Sequence, residues 1–420
     1  MPSSSATTRS RSPLRLLGPG LLVAATGVGA GDLATGAFSG SVLETAVLLA
    51  VLVGAALKFV LNEGLTRWQL ATGETLLEGV LRRVPGWARW LFLLYLLPWS
   101  WFVGGALVSA CGVTAHALLP LLDTPEEGKV VLGIAHSLLG LVLVRRGGFR
   151  LFERVMSVCV LFMFVTVLVT AVLLGPDWGA VLRGLLVPSI PHAEGAGLGW
   201  TVALMGGVGG TLTVLAYGYW IREEGRDSVQ DLAGCRVDLA AGYGVTALFG
   251  VAMVLIGSTI TVEGRGAGLV IQLANRLEEP LGPAGRWLFL VGAWGAVFSS
   301  LLGVWQSVPL LFTDWWNVTC SRRSEGGPAA VDSVPYRWYL LALAIVPLGG
   351  LWLGFQSLQK LYAIVGAAFL PLLALVLLAF NSRSSELGEL RNRWPSLAAL
   401  ILALSTFLYL GGLDLLRRFG

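Results

Sequence analysis

The chain has 420 residues, of which 13% are charged and 55% hydrophobic, with a mean hydropathy of +0.76. A soluble domain keeps about a quarter of its residues charged, so this composition excludes a soluble fold and places nearly the whole chain in a membrane. The formal charge of +4 does not mark a nucleic-acid binder, because the arginines lie in short loops between apolar stretches, and no nucleotide loop, metalloprotease helix or nucleophile elbow points to an enzyme or a cofactor.

The first residues, MPSSSATTRSRSP, are rich in Ser, Thr and Arg, and residues 1–15 are expected to form a disordered tail. The apolar run that follows continues past the length of a signal peptide without a clear cleavage site, so it is expected to stay in the protein. Cutting the chain at charged or Gly/Pro-rich breaks gives eleven spans, near 16–39, 41–65, 90–118, 128–145, 151–175, 197–221, 237–261, 285–312, 338–355, 359–380 and 395–412. They form one transmembrane domain over residues 16–412, with 413–420 as a short tail.

Charge sets an expected orientation. The N-terminal Arg9, Arg11 and Arg15 fall on the same side as Arg67, Arg82, Arg83 and Arg89 after the second span, and as Arg145, Arg146, Arg150 and Arg154 after the fourth. Arg222, Arg226 and Arg236, then Arg322, Arg323 and Arg337, then Arg383, Arg391 and Arg393 continue the pattern. Lys129, Arg183, Arg265, Arg276, Arg286, Arg417 and Arg418 fall on the other side. Positive charge favours a cytoplasmic N-terminus by roughly three to one, which puts the C-terminus outside, in a membrane of the bacterial inner type.

Two spans carry interruptions. The first reads LGPGLLVAATGVGAGDLATGAFSG, with Gly27, Gly29 and Gly31 just before Asp32; the sixth contains Gly206, Gly207, Gly209 and Gly210 before Thr211 and Thr213. Each glycine costs a helix interior up to about 1 kcal/mol relative to alanine, so a cluster is a place to unwind. Unwound backbone at membrane depth is tolerated only where protein buries it or a cavity hydrates it. Paired breaks five spans apart are what inverted-repeat transporters show, with substrate held between the half-helices. Close helix packing through small residues is the competing reading.

Asp32 is the acidic residue placed deepest, and a carboxylate there is by default a functional group; it is equally a good N-cap for the resuming helix. Lys58, Asn62 and Glu63 are expected near the cytoplasmic end of the second span, with Lys58 snorkelling to the interface. His116 and His136 are expected to be hydrogen-bonded packing residues. Trp99, Trp101, Trp315, Trp316 and Trp338 are expected as interfacial anchors. Cys111, Cys159, Cys235 and Cys320 have neither metal-ligand spacing nor a secreted-scaffold pattern.

The opening GPGLLVAATGVGAGDLATG resembles the first span of Nramp-type divalent metal transporters. ATGETLLEG at 71–79 is similar to that family's Thr-Gly loop, FSSLLGVWQSVPLLFTDWWN to its Ser/Thr-Gly-Gln eighth helix, and LPLLALVLL to its tenth. The resemblance runs from about residue 18 to 380. It implies an all-α integral membrane protein with a LeuT-type inverted repeat of 5+5 helices, first and sixth broken, plus an eleventh span. It further implies a secondary transporter whose partners are a divalent cation and the lipid bilayer.

The departures fall on the chemistry. Where the family has Asp-Pro-Gly-Asn, this chain has Gly29, Ala30, Gly31 and Asp32, and where it has Met-Pro-His, Gly210, Thr211 and Leu212 line up by length. The third span, WSWFVGGALVSACGVTAHAL, has no counterpart of the family's proton-moving acidic residues; a uniporter driven by membrane potential would need none. Loss of the thioether shifts the expected preference from soft metals to hard ions such as Mg²⁺ or Mn²⁺. The implied site is Asp32 as metal ligand, completed by the backbone at Gly29, Ala30, Gly31, Gly207 and Gly210 and by Thr211 or Thr213. A small organic solute whose carboxylate meets a broken-helix N-terminus remains the alternative substrate, and a receptor or scaffold without transport the third reading.

Overall fold

A computed structural model describes residues 19–20, 28–146, 149–321 and 331–419. The tail expected at 1–15, Gly27, Arg322 and Arg323 lie outside the described residues, as do the side chains of Ala30, Arg150, Arg154, Cys159, Arg417 and Arg418. Every element among the described residues is helical, as lipid demands of segments that must satisfy their own backbone.

A π-helical turn (Ala30–Thr35) opens into α1 (Gly36–Leu43), and a 3-10 turn (Glu44–Val47) leads into α2 (Leu48–Thr72). Glu44 leaves helical geometry with φ 55° and ψ −149°, so the 42-residue apolar run Gly31–Thr72 holds parts of the first two expected spans. A Thr75/Glu78 capping box starts the short α3 (Leu76–Arg83). Then come α4 (Gly86–Leu118), α5 (Pro125–Arg146), α6 (Phe149–Leu173) and α7 (Trp178–Leu186).

The sixth span is split into α8 (Gly197–Gly207) and α9 (Ala216–Glu223), with a 3-10 turn (Leu212–Leu215) between them. After α10 (Leu232–Gly257), α11 (Leu269–Thr319) is two helices joined at Gly282, and the expected span 285–312 is its second part. α12 (Val334–Ile345), α13 (Phe355–Ala367), α14 (Phe369–Phe380), α15 (Ser384–Leu387) and α16 (Trp394–Phe419) complete the chain. The last helix therefore runs past residue 412.

Among the described residues nine helices are long and apolar enough to cross a membrane, ten if Val160–Leu173 and Trp178–Leu186 count as one bent span. Gly31–Thr72 is one of the nine and contains the Glu44 break. The most apolar stretch of Gly197–Glu223 is 100% buried, against 17% for Trp394–Leu413, so the broken sixth span is the centre of the bundle and the last helix its rim. Val158, Leu161, Phe162, Val165, Val169 and Val172 form an exposed apolar stripe down α6, a face that lipid covers.

Several charged loop residues meet one another or a neighbouring loop. Arg83 pairs with Glu386 at 2.9 Å, Arg222 with Glu78 at 3.1 Å and Arg236 with Glu63 at 2.6 Å, joining loops assigned to one side. Lys129 and Arg265, assigned to the other, donate to the carbonyls of Leu353 and Trp352.

Candidate functional site

Both interruptions exist, and they face each other. At the first, the chain passes through the π turn with Gly29 O accepting from Leu33 N at 3.1 Å. At the second, Gly209 and Gly210 take φ of 73° and 87°, a left-handed pair that only glycine adopts without penalty. This kink ends α8 and turns the Gly209 N–H out of the helix, where it donates to Asp32 Oδ1 at 2.9 Å. Asp32 therefore caps, but not the helix it belongs to: the expected cap on its own helix is replaced by a bond to the other broken span. Its second oxygen, Oδ2, is buried and accepts no hydrogen bond among the described residues.

Lys58 is the largest departure from the sequence reading. It is fully buried, and its Nζ donates to Gly206 O at 2.6 Å and to Val208 O. The snorkelling expectation fails because α2 extends to Thr72 and not to 65, which moves Lys58 to mid-helix. The 14 residues from Lys58 to that end span about 21 Å, beyond the reach of a lysine side chain. Gly54, one turn earlier on the same face, allows α8 to lie against α2: a Cβ there would stand 2.9 Å from Met205 O. One turn later Asn62 Nδ2 donates to the hydroxyl of Tyr243 at 2.6 Å, whose ring borders Gly209. Spacing of i, i+4 and i+8 on one helix face was the available signal for all three.

The remaining expected residues divide into those that shape the site and those held elsewhere. A Cβ on Gly31 would stand 2.9 Å from Gly207 O, so these two glycines set the close approach of the broken spans. A Cβ on Gly29 would overlap Ser300 and come within 2.9 Å of Ala296 O on α11. Ala30 contributes backbone to the π turn. Thr213 Oγ1 accepts from Thr211 N at 3.3 Å, a local cap. Thr211 Oγ1 accepts from Trp99 Nε1 at 3.0 Å.

That bond corrects another expectation, since Trp99 is fully buried beside the break and is not an interfacial anchor; Trp315 is also buried, its indole bonded to Arg89 O at 2.9 Å. Trp316 and Trp338 are exposed as anchors should be. His136 is a satisfied packing residue: its Nε2 accepts from Trp294 at 2.8 Å, which leaves Nδ1–H to donate to Leu132 O at 2.7 Å.

Around the break lie buried oxygens with no hydrogen-bond partner among the described residues: Asp32 Oδ2, Thr35 Oγ1, Asn62 Oδ1 and Thr246 Oγ1. A Cβ on Gly207 would be 3.5 Å from Thr35 Oγ1, and one on Gly209 would be 3.3 Å from Thr246, so both threonines border the second break. Thr35 was missed, although it follows Asp32 by three residues and so shares its helix face. Among the described residues no three His, Cys, Asp or Glu side chains gather into a metal cluster. Beside the Lys58 amine, the oxygens offered to a cation here are one carboxylate and otherwise neutral, the donor type that hard ions take.

The comparisons with known proteins bear on this geometry. A family model described as natural resistance-associated macrophage protein-like matches residues 20–416. The chain belongs to the Nramp family. Among similar Nramp relatives, the divalent metal cation transporter MntH 1 of Pseudomonas aeruginosa is 28% identical, over 92% of this chain and 89% of its own length. The divalent metal cation transporter MntH of Acidiphilium cryptum is 26% identical, over 98% and 92%. A manganese transporter from Eremococcus coleocola superposes with a TM-score of 0.72 at 15% identity, covering 98% of this chain and 88% of that one. MhsT, solved with L-phenylalanine, superposes with a TM-score of 0.64 at 15% identity, covering 97% and 98%. At such identity the structural likeness carries the fold alone, the LeuT-type inverted repeat with broken first and sixth helices. In this Nramp chain the positions that line up by length with Met-Pro-His are a left-handed glycine, a threonine held by Trp99 and the buried Leu212.

Proposed function

We propose that this protein is a secondary transporter that carries a divalent metal cation through the bilayer by alternating access, with Asp32 as the charged ligand. The observation that carries the reading is a single buried carboxylate set between two broken helices, one oxygen bonded to Gly209 N and the other without a partner. Two relatives that match nearly the whole chain are named divalent metal cation transporters. Thr35 Oγ1 and the backbone of Gly29, Ala30, Gly31, Gly207 and Gly210 offer neutral oxygens at the break, a set that suits Mg²⁺ or Mn²⁺ better than a soft metal. The positive loops support a cytoplasmic N-terminus and an outer C-terminus in a bacterial inner membrane.

The test is uptake of Mn²⁺, Mg²⁺ and Ca²⁺ into proteoliposomes by the wild type and by Asp32→Asn. The amide keeps an acceptor for Gly209 N but loses the charge, so uptake is expected to drop to that of protein-free liposomes. Saturable uptake that survives in the variant overturns the role of Asp32, and a wild type that moves none of the three ions overturns the metal reading.

A further inference from the structure

We propose that Lys58 determines specificity at this site: it is a tethered cation whose ammonium occupies the carbonyl end of the broken sixth helix, so that only an ion able to displace it is carried. The inference rests on the transport reading and adds to it a built-in competitor.

Lys58 reaches the break from the middle of α2 and is fully buried there, donating to Gly206 O and Val208 O. Those carbonyls belong to the C-terminal end of α8, where the helix dipole is negative and cations are favoured. Unwound carbonyls and half-helix C-termini are also the groups with which transporters of this architecture coordinate cations. The ammonium therefore sits in a place chemically suited to a transported ion. Asp32 accepts from Gly209 N, the residue next to the Val208 carbonyl that Lys58 holds, so the carboxyl and the amine face the same break.

This arrangement discriminates by charge. A monovalent ion gains no more from Asp32 and the helix end than the ammonium does, and has no advantage with which to displace it. A divalent ion gains about twice as much from the same groups. The lysine stem is flexible, with three rotatable donors at its end, so the ammonium can swing from the carbonyls while Gly54 keeps α2 and α8 in contact. Even displaced by a few ångströms it repels the arriving ion, which sets metal affinity below that of a site without it.

The test is isothermal titration of purified protein with Mn²⁺ and Mg²⁺, with and without excess Na⁺, on the wild type, Lys58→Met, Lys58→Gln and Lys58→Arg. Lys58→Gln keeps a donor for the two carbonyls and covers the case in which Lys58→Met does not fold. Two like charges about 5 Å apart at an effective dielectric of about 20 repel by more than a tenfold change in affinity represents, so Kd in the neutral variants is expected to fall at least tenfold. Binding in those variants should become sensitive to Na⁺, while Lys58→Arg stays near the wild type. Metal binding that appears only in the neutral variants is the limiting form of the same result. A Kd that falls less than tenfold, stays unchanged or rises in every neutral variant that folds overturns the proposal and leaves Lys58 as a structural cap of α8. If the wild type binds and carries metal under that outcome, the transport reading stands alone; if no form binds any metal, both fall.

Discussion

Gly209 and Gly73 share a φ of 73° but differ in surroundings, which separates backbone strain from packing at the second break. A Cβ on Gly73, just past the end of α2, meets nothing within 4 Å, whereas on Gly209 it would stand 3.0 Å from Tyr243 Cε1, 3.2 Å from Cδ1 and 3.3 Å from Thr246 Cγ2. Left-handed geometry costs an alanine about 1–2 kcal/mol, which both Gly73→Ala and Gly209→Ala incur. Forcing a methyl against a packed ring adds about 1–3 kcal/mol, so Gly209→Ala is expected to destabilise by about 2–5 kcal/mol in total. It should also move the Gly209 N–H relative to Asp32 Oδ1 and weaken cation binding, which Gly73→Ala leaves alone. Unfolding in detergent by increasing dodecyl sulfate, followed by circular dichroism, reads the first effect, and metal titration reads the second. Equal destabilisation by the two substitutions, or full metal binding in Gly209→Ala, refutes the account of the break.

Thr35→Val should dissociate stability from function: its buried hydroxyl has no partner among the described residues, so the isosteric change is expected to leave the unfolding midpoint unchanged or raised while metal affinity falls. A lowered midpoint with unchanged affinity refutes it. Asp238, fully buried, accepts from Gly20 N at 2.8 Å, from the Tyr217 hydroxyl at 3.1 Å and from Arg226 at 3.2 Å. Arg226→Met leaves that carboxylate without its counter-charge, and a loss of about 3–5 kcal/mol is expected. Adding Asp238→Asn should restore much of it; a double variant as unstable as the sum of the singles counts against a buried pair.

Much of the architecture was legible because membrane helices announce themselves by length and apolarity. The paired breaks were legible because glycine clusters are conspicuous in such runs. Boundaries were less so: apolarity fades gradually at Gly64 to Thr72, and ending the second span near 65 turned a mid-helix lysine into an interfacial one. Trp99 was misread for a related reason, since a tryptophan close to a polar residue in sequence resembles an anchor until the neighbour across the bundle is known.

The sequence by itself determined which segments cross the membrane, where two of them unwind and that one carboxylate lies at the first break, because hydropathy and backbone propensity are local properties of a run of residues. The tertiary structure alone decided what meets that carboxylate. The Gly209 donor is 177 residues from Asp32, the Gly206 acceptor 148 from Lys58 and Thr211 112 from Trp99. Such partners are chosen by how closely the helices approach, and that depends on side-chain volumes at glycine contacts such as Gly31 with Gly207 and Gly54 with Met205, which no periodicity along a single segment encodes.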